Sequence, residues 1–543
     1  MATPVISSPL LRFNRERQAI ISEVIDRVTR HTIQASWDEP GARLDNLLNE
    51  AAFLELSRAQ QDSTPRQNER VSFWKQVVRT IARSTEEENA ELVRKVIGDY
   101  TRDTAGNFRP GVQRFAVDVL PRSLSFVAGV LRGNVVPSLA DLQERVVVEG
   151  EIARIRRLAD HGTLVFVSTH VSRLDAGLLG LGLHLAKLPP TVHGADSTLF
   201  ANPMTSFFMQ NLGAYKVDRA LKHTLYTRVL KTYSQVILER GYHSFFFPTG
   251  GRSRDNRIDE RLKLGLLGTS LDAWSHSVVR GDDKPIFIVP VTMNYNLVLE
   301  AETLVADGMN AADAGAPRII QRDEFSDPRR VASWLSASLQ SKDFMTIRFG
   351  APMDPFGNEV SPDGLSLDAR GRVVEPQRYL WRDGVPVEDT ARARAYTRAL
   401  GRKVVDSWKK NNVVYPMHIV AMALFEYVCR QHPSWDVDRL LWFARGDSIG
   451  RSIAEGETER LMRLVRRDAA QGTLRLSHSA EKFSAQEMVE DALRRFRTYH
   501  TSPVVEAEGH ELRLSDLRLL NYYGNRLRGY DLERRLGHGP GGY

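Results

Sequence analysis

The stretch "VFVSTHVSRLDAGLLG", residues 165–180, decides how this chain is read. A β-branched apolar run stops at His170. Five residues later Asp175 opens a segment of leucines and glycines. On one continuous helix that spacing would turn the two side chains about 140° apart. They can meet only where a strand gives way to a helix, with His170 past the strand end and Asp175 in the first helical turn. "GTLVFVST" (162–169) supplies the strand and residues 175–188 the helix. Such a junction lies beyond the carboxyl edge of a sheet, in the crevice where open α/β folds bind ligands. There an aspartate can bond one ring nitrogen, fix the tautomer and stabilise the imidazolium. The plainer reading is a helix-capping Asp175 beside an ordinary surface histidine.

The alternation of strand and helix continues. "HSFFFPTGG" (243–251), "PIFIVPVTMNY" (285–295) and "FMTIRFGAP" (344–352) read as strands, and 222–240 and 262–276 as helices. This predicts an α/β fold with a mixed, mostly parallel sheet flanked by helices. Pro290 lies inside the third run and predicts an edge strand or a break there. Before this region the pattern is helical. Ile20, Ile21, Val24, Ile25 and Val28 recur at helical steps, "STEEENAELVRKVIGDY" has a helix start at its Ser84 end, and "AGNFRPG" (105–111) reads as a loop. "LSLDARGRVVEP" predicts a hairpin turning at Asp368–Gly371, and the chain turns helical again from about 391. The expected organisation is a helical region 1–145, an α/β domain 146–405 and a helical region 406–543. "ERLMRLVRR" (459–467) is either a basic amphipathic helix on a membrane or a solvated helix packed on the core.

The 543 residues are 42% hydrophobic and 26% charged, which excludes disordered and fibrous classes. The formal net charge of +7 favours anionic partners without choosing among metabolites, lipid surfaces and nucleic acid. No recognisable nucleic-acid module accompanies it. One cysteine, Cys429, excludes an intramolecular disulfide and a cysteine-based zinc site. The first residues lack the apolar core of a secretory signal. "GLLGLGLHLAKL" (177–188) and "VVYPMHIVAMALFEYV" (413–428) are too short or too polar to span a bilayer and read as buried or interfacial helices.

Two further segments carry chemistry. "NLGAYKVDR" (211–219) ends in Arg219, whose planar fork suits a phosphate. In "FFFPTGGRSRD" (245–255) a buried run breaks at Pro248. Gly250 and Gly251 then permit close backbone approach, and Arg252, Ser253 and Arg254 offer donors. This is an anion-binding loop, or a basic turn without a ligand. Phosphate-binding P-loops, serine-nucleophile elbows and zinc-protease helices are missing from the sequence.

In order and spacing, "HVSRLD" (170–175), "GAYKVDR" (213–219), "FPTGGRSR" (247–254) and "IVPVTMNY" (288–295) resemble the four blocks of the glycerolipid acyltransferase family. Those blocks are H-x4-D, G-x-x-[FI]-x-x-R, [FP]-E-G-[TG]-R-S and [VI]-P-[VI]. The resemblance covers about 160–300. "RLKLGLLG" (261–268), "VTMNYNLVLE" (291–300) and "LNYYGNRLRGY" (520–530) look most like the glycerol-3-phosphate and dihydroxyacetone-phosphate branch. One position departs: the family's usual Glu is Thr249 here.

The resemblance implies an O-acyltransferase, with 146–405 as its catalytic domain, that needs no cofactor and no metal. His170 would deprotonate the acceptor hydroxyl and Asp175 would orient it. Arg219, Gly250, Gly251, Arg252, Ser253 and Lys263 would hold a phosphorylated glycerol-type acceptor. The donor would be acyl-CoA or acyl-ACP, and the product the sn-1 ester of glycerol-3-phosphate, the first step of phospholipid synthesis. An anionic membrane surface is the expected partner and nucleic acid is not. The expected place is the cytoplasmic side of the inner membrane, in peripheral or monotopic attachment. Alternatives are another acceptor (dihydroxyacetone phosphate, lysophosphatidate or another lipid) or a catalytically weak membrane-associated scaffold.

Overall fold

The computed structural model describes residues 9–38, 43–59, 65–81, 83–114, 145–200, 203–282, 284–314, 324, 327–339, 343–382, 385–386, 389–444, 446–497 and 499–537. Its centre is a seven-stranded sheet. In chain order the strands are β1 (Val146–Gly150), β2 (Thr163–Ser168), β3 (Val192–Asp196), β4 (Ala214–Val217), β5 (Ser244–Phe246), β6 (Ile286–Tyr295) and β7 (Met345–Phe349). Their spatial order is β1-β7-β6-β2-β5-β3-β4. All neighbours run parallel except β6 and β7, so the sheet is mixed and mostly parallel, as expected.

The strands read as unbroken apolar runs because both faces of the sheet are covered. Side chains alternate across a strand. Leu164 and Phe166 therefore join one apolar cluster, which includes the helix Asp175–Leu185 and the C-terminal helices. Val165 and Val167 join another, packed by the helices Leu264–Val279 and Thr390–Asn411. The N-terminal helices form a third cluster with the helix Thr224–Glu239 and the β3–β4 edge. One of them, Glu86–Thr104, begins with a capping box made by Thr85, one residue after the predicted Ser84. The expected loop at 105–111 has no regular structure over 105–109 apart from one bridge between Phe108 and Leu212, and its last two residues open the short helix Pro110–Arg114. Part of the predicted helical region, 115–144, lies outside the described residues.

One expectation changes. Pro290 does not mark an edge: β6 is central, flanked by β2 and β7. In a strand a residue's N–H and C=O point to the same side. The Pro290 carbonyl accepts from Gly350, just past the end of β7 at Phe349. The nitrogen that lacks a hydrogen thus faces the place where β7 has left the ladder. Of the two readings of the basic stretch 459–467, the structure shows the helix packed on the core. The stretch lies in the helix Arg451–Ala470, and its Leu461 and Val465 are fully buried in the C-terminal core. That apolar face is therefore spent on packing. Strands β1, β3 and β4 were not anticipated. The hairpin turn is present, with Gly371 at φ +75° donating to the Asp368 carbonyl.

The segment 413–428 lies mostly in the helix Pro416–Gln431, which is buried on nearly every side. Among the described residues no helix is long and apolar enough to cross a membrane.

Candidate active site

β2 ends at Ser168, while β6 runs on to Tyr295. The Thr169 amide donates to Val291 O at 3.1 Å, and its hydroxyl accepts from Met293 N at 2.9 Å. His170 is thereby carried just past the strand end, pinned against the longer β6. Asp175 is the first residue of the following helix and is fully buried. Its Oδ2 lies 2.8 Å from His170 Nδ1 and accepts from the amides of Val171 at 2.6 Å and Ser172 at 2.9 Å. Both readings of the opening stretch are thus realised by one carboxylate: it caps the turn and it holds the imidazole.

An ionised carboxylate can only accept, so Nδ1 carries the hydrogen, and in the neutral imidazole the lone pair is then on Nε2. The imidazole stacks on Phe247, ring centres 4.3 Å apart and 19° from parallel. Its backbone carbonyl accepts from Ser253 N at 2.8 Å.

Tyr295 completes the carboxylate, its hydroxyl donating to Asp175 Oδ1 at 2.5 Å. Burial first, and then the charge of Asp175, push the phenol well above its ordinary range, so it stays a neutral donor. Sequence reasoning treated Tyr295 only as part of an apolar block. Glu300 was missed altogether. Fully buried, it accepts from Ser172 Oγ at 2.8 Å, Arg173 N at 2.8 Å and Arg252 Nη1 at 3.1 Å. It thus ties the His170–Asp175 turn to the glycine loop. The available signal was a lone acid closing the apolar run "NLVLE" (296–300).

The glycine loop leaves β5 through Phe247 and Pro248. The Thr249 hydroxyl donates to Gly251 O at 2.7 Å, closing a tight turn without a charge. Gly250 has φ +73°, and a Cβ there would lie 2.4 Å from the Lys263 side chain. The loop thus depends on glycine twice, for its dihedral and for the room Lys263 occupies. Lys263 is anchored by its own amide to Pro248 O at 2.7 Å. Its ammonium is held below the usual lysine range, chiefly by burial and then by Arg219 and Lys222. Arg219 reaches the same loop, its Nη1 lying 3.9 Å from where a Gly251 Cβ would stand, and it pairs with Asp196 at 3.1 Å.

The predicted binding residues therefore divide. Arg219, Lys263, Gly250 and Gly251 converge on one electropositive loop. Arg252 turns inward to Glu300. Ser253 is buried, and its hydroxyl is engaged with Asp255 at 3.2 Å and the Arg257 carbonyl at 3.1 Å. Its amide, not its hydroxyl, serves the His170 turn. Among the described residues no cluster of three or more His, Cys, Asp or Glu side chains suits a metal ion. The arrangement can move a proton at His170 Nε2 beside a cationic loop able to hold an anion.

Part of the chain is similar to known proteins. Residues 145–294 match the Acyltransferase family. The glycerol-3-phosphate acyltransferase of Haemophilus influenzae (strain PittEE) is 35% identical over 161 residues, 29% of this chain and 19% of that protein. The enzyme of the same name from Haemophilus ducreyi is 36% identical over 162 residues, with the same shares. That from Aeromonas hydrophila is 34% identical over 153 residues, 28% of this chain and 18% of that protein. The chain thus spans about one fifth of the length of these curated relatives. Among solved structures, the 1-acyl-sn-glycerophosphate (LPA) acyltransferase of Thermotoga maritima aligns over 57% of this chain and 93% of its own, at 14% identity and a TM-score of 0.25. The four motif segments lie on and beside one sheet, and the region 145–294 that holds them matches the Acyltransferase family and is similar to part of these glycerol-3-phosphate acyltransferases.

Proposed function

We propose that this protein is an O-acyltransferase that moves a fatty acyl group from acyl-CoA or acyl-ACP to the sn-1 hydroxyl of glycerol-3-phosphate. The observation that carries the reading is the His170–Asp175 pair, with Nδ1 bound to a buried carboxylate, an arrangement that supports Nε2 as the base. In this scheme Nε2 takes the acceptor's hydroxyl proton as the oxygen attacks the thioester carbonyl. The tetrahedral intermediate collapses, the C–S bond breaks, and the imidazolium returns the proton to the leaving thiolate. Asp175 stabilises the imidazolium in between, itself fixed by Tyr295 and two amides. Such base catalysis typically contributes about 10²–10⁴-fold. Arg219 and Lys263 hold the acceptor phosphate against the Gly250–Gly251 backbone, and fixing two reactants in register lowers the barrier further. The product is a lipid, and our reading puts the enzyme at an anionic membrane surface, on the cytoplasmic side of the inner membrane.

Incubation of the purified protein with labelled acyl-CoA or acyl-ACP and glycerol-3-phosphate tests this. The expected result is a 1-acyl ester formed by the native protein and not by His170→Ala. No transfer to glycerol-3-phosphate with either donor would sink it.

Thr249 favours a second reading, in which the reaction is the same and the acceptor differs. Its hydroxyl is committed to Gly251 O, so the loop offers no carboxylate to an acceptor hydroxyl. Competition among glycerol-3-phosphate, dihydroxyacetone phosphate and lysophosphatidate decides between the two.

A further inference from the structure

Arg526 lies in "LNYYGNRLRGY", more than 350 residues after His170, and is 3% exposed. Its Nε donates to Asn412 Oδ1 at 2.6 Å. Its Nη2 donates to Met293 O at 3.2 Å and Asn294 Oδ1 at 2.8 Å. All three acceptors are neutral, and among the described residues no carboxylate forms a salt bridge with it. A buried guanidinium without an ion-pair partner is costly, and it is tolerated where it offsets a charge nearby. The next residue on the gripped strand is Tyr295, which holds the fully buried Asp175.

We propose that Arg526 is a positioning residue of the active site. From the C-terminal region it grips β6 at Met293–Asn294 and so sets Tyr295 against Asp175. Its charge balances Asp175 and thereby favours the neutral form of His170. The proposal rests on the reading of His170 as the base. The other ionisable groups near His170 are Tyr295 and, through Ser172 and Arg173, the Glu300–Arg252 pair. Around Arg526 they are Tyr415, Tyr522, Tyr530, His418 and Asp259. Burial first, and then Arg526, push His418 down to about 3, so it is neutral near pH 7. Burial and Asp255 push Asp259 up to about 6 against the pull of Arg526. Glu300 is paired with Arg252, so Asp175 and Asp259 are the carboxyl groups among these that are left for Arg526 to balance.

The test follows diethylpyrocarbonate modification of His170 against pH, by mass spectrometry on the full-length protein. It needs no acyl transfer. In Arg526→Gln, which keeps a donor and removes the charge, the midpoint of reactivity should rise by about half a unit to one unit. Arg526→Lys, which keeps the charge, should titrate as the native protein does, and so should Asp259→Asn. Arg526→Met serves as a second neutral variant, with circular dichroism reporting the fold of each. A purely structural role predicts no midpoint shift in a folded neutral variant, and that result overturns the proposal. An equal shift in Arg526→Lys, or a shift in Asp259→Asn, overturns it as well. If the shift is found while no acyl transfer is seen with any acceptor, only the acyltransferase reading falls.

Discussion

The fully buried carboxylate of Glu300 and the mostly buried guanidinium of Arg252 meet at 3.1 Å and join the His170 turn to the glycine loop. Removing one partner of a buried pair leaves an uncompensated charge and costs about 3–5 kcal/mol. Glu300→Ala should therefore lower stability by an amount of that order in denaturant titration. It should also lower transfer activity, because the Arg173 amide and the Ser172 hydroxyl lose their acceptor. Glu300→Gln, isosteric but neutral, should recover part of the stability.

His170→Ala should lose about 10²–10⁴-fold in kcat with an unchanged circular dichroism spectrum. Asp175→Asn should bring a loss of similar order, because an amide oxygen holds the tautomer less firmly and cannot stabilise the imidazolium. If either variant keeps native turnover, the base is elsewhere.

Tyr295→Phe removes the hydroxyl from Asp175 Oδ1 and keeps the ring. A hydrogen bond to a charged group is worth roughly 1.5–3 kcal/mol. We expect kcat to fall at least about tenfold and acceptor KM to change little, measured at saturating donor.

Lys263 fixes a pH dependence on the alkaline side. Its ammonium is held below the usual lysine range, and only the charged form attracts a phosphate. Acceptor KM should rise as pH climbs through this lowered value, earlier than an ordinary lysine would allow. Lys263→Arg should keep KM flat to higher pH. Gly250→Ala should raise KM at every pH, since φ +73° is strained for alanine and its Cβ would displace the lysine.

Acid stability should fall early. Burial pushes His193 and His243 down to about 4 and His418 down to about 3. Unfolded, each takes up a proton near 6.5, so between that pH and about 4 the unfolded chain binds more protons than the native one. Stability is full above about 6.5 and drops as pH falls, by up to roughly 1.4 kcal/mol per pH unit for each histidine. Thermal unfolding from pH 7 to pH 4 would show it. A flat melting temperature over that range would refute it.

The strand-to-helix junction at 162–188 was legible because its information is local. A β-branched run, a polar turn and a helical segment lie in sequence order, and Asp175 bonds a partner only five residues away. The glycine loop was legible for the same reason: proline and paired glycines announce a turn whatever surrounds them. Strands β3 and β4 were not, since "VHGAD" and "AYKV" carry little alternation and owe their conformation to pairing within the sheet. Pro290 misled because the sequence shows a missing donor without showing that β7 ends opposite it.

By itself, then, the sequence determined the α/β pattern, the site of the His170–Asp175 turn and the cationic character of the loop after β5. These follow from backbone preference and residue chemistry over a few neighbours. Only the tertiary structure decided that Tyr295 and Glu300 bind a turn 120 and 128 residues away, and that Arg526 reaches Asn294 across 232 residues. It likewise turned Arg252 inward while leaving Arg219 and Lys263 on the loop. Near neutral pH every arginine carries the same charge and the same fork of donors. What each one does depends on which buried carboxylate or carbonyl the folded chain brings within hydrogen-bond reach.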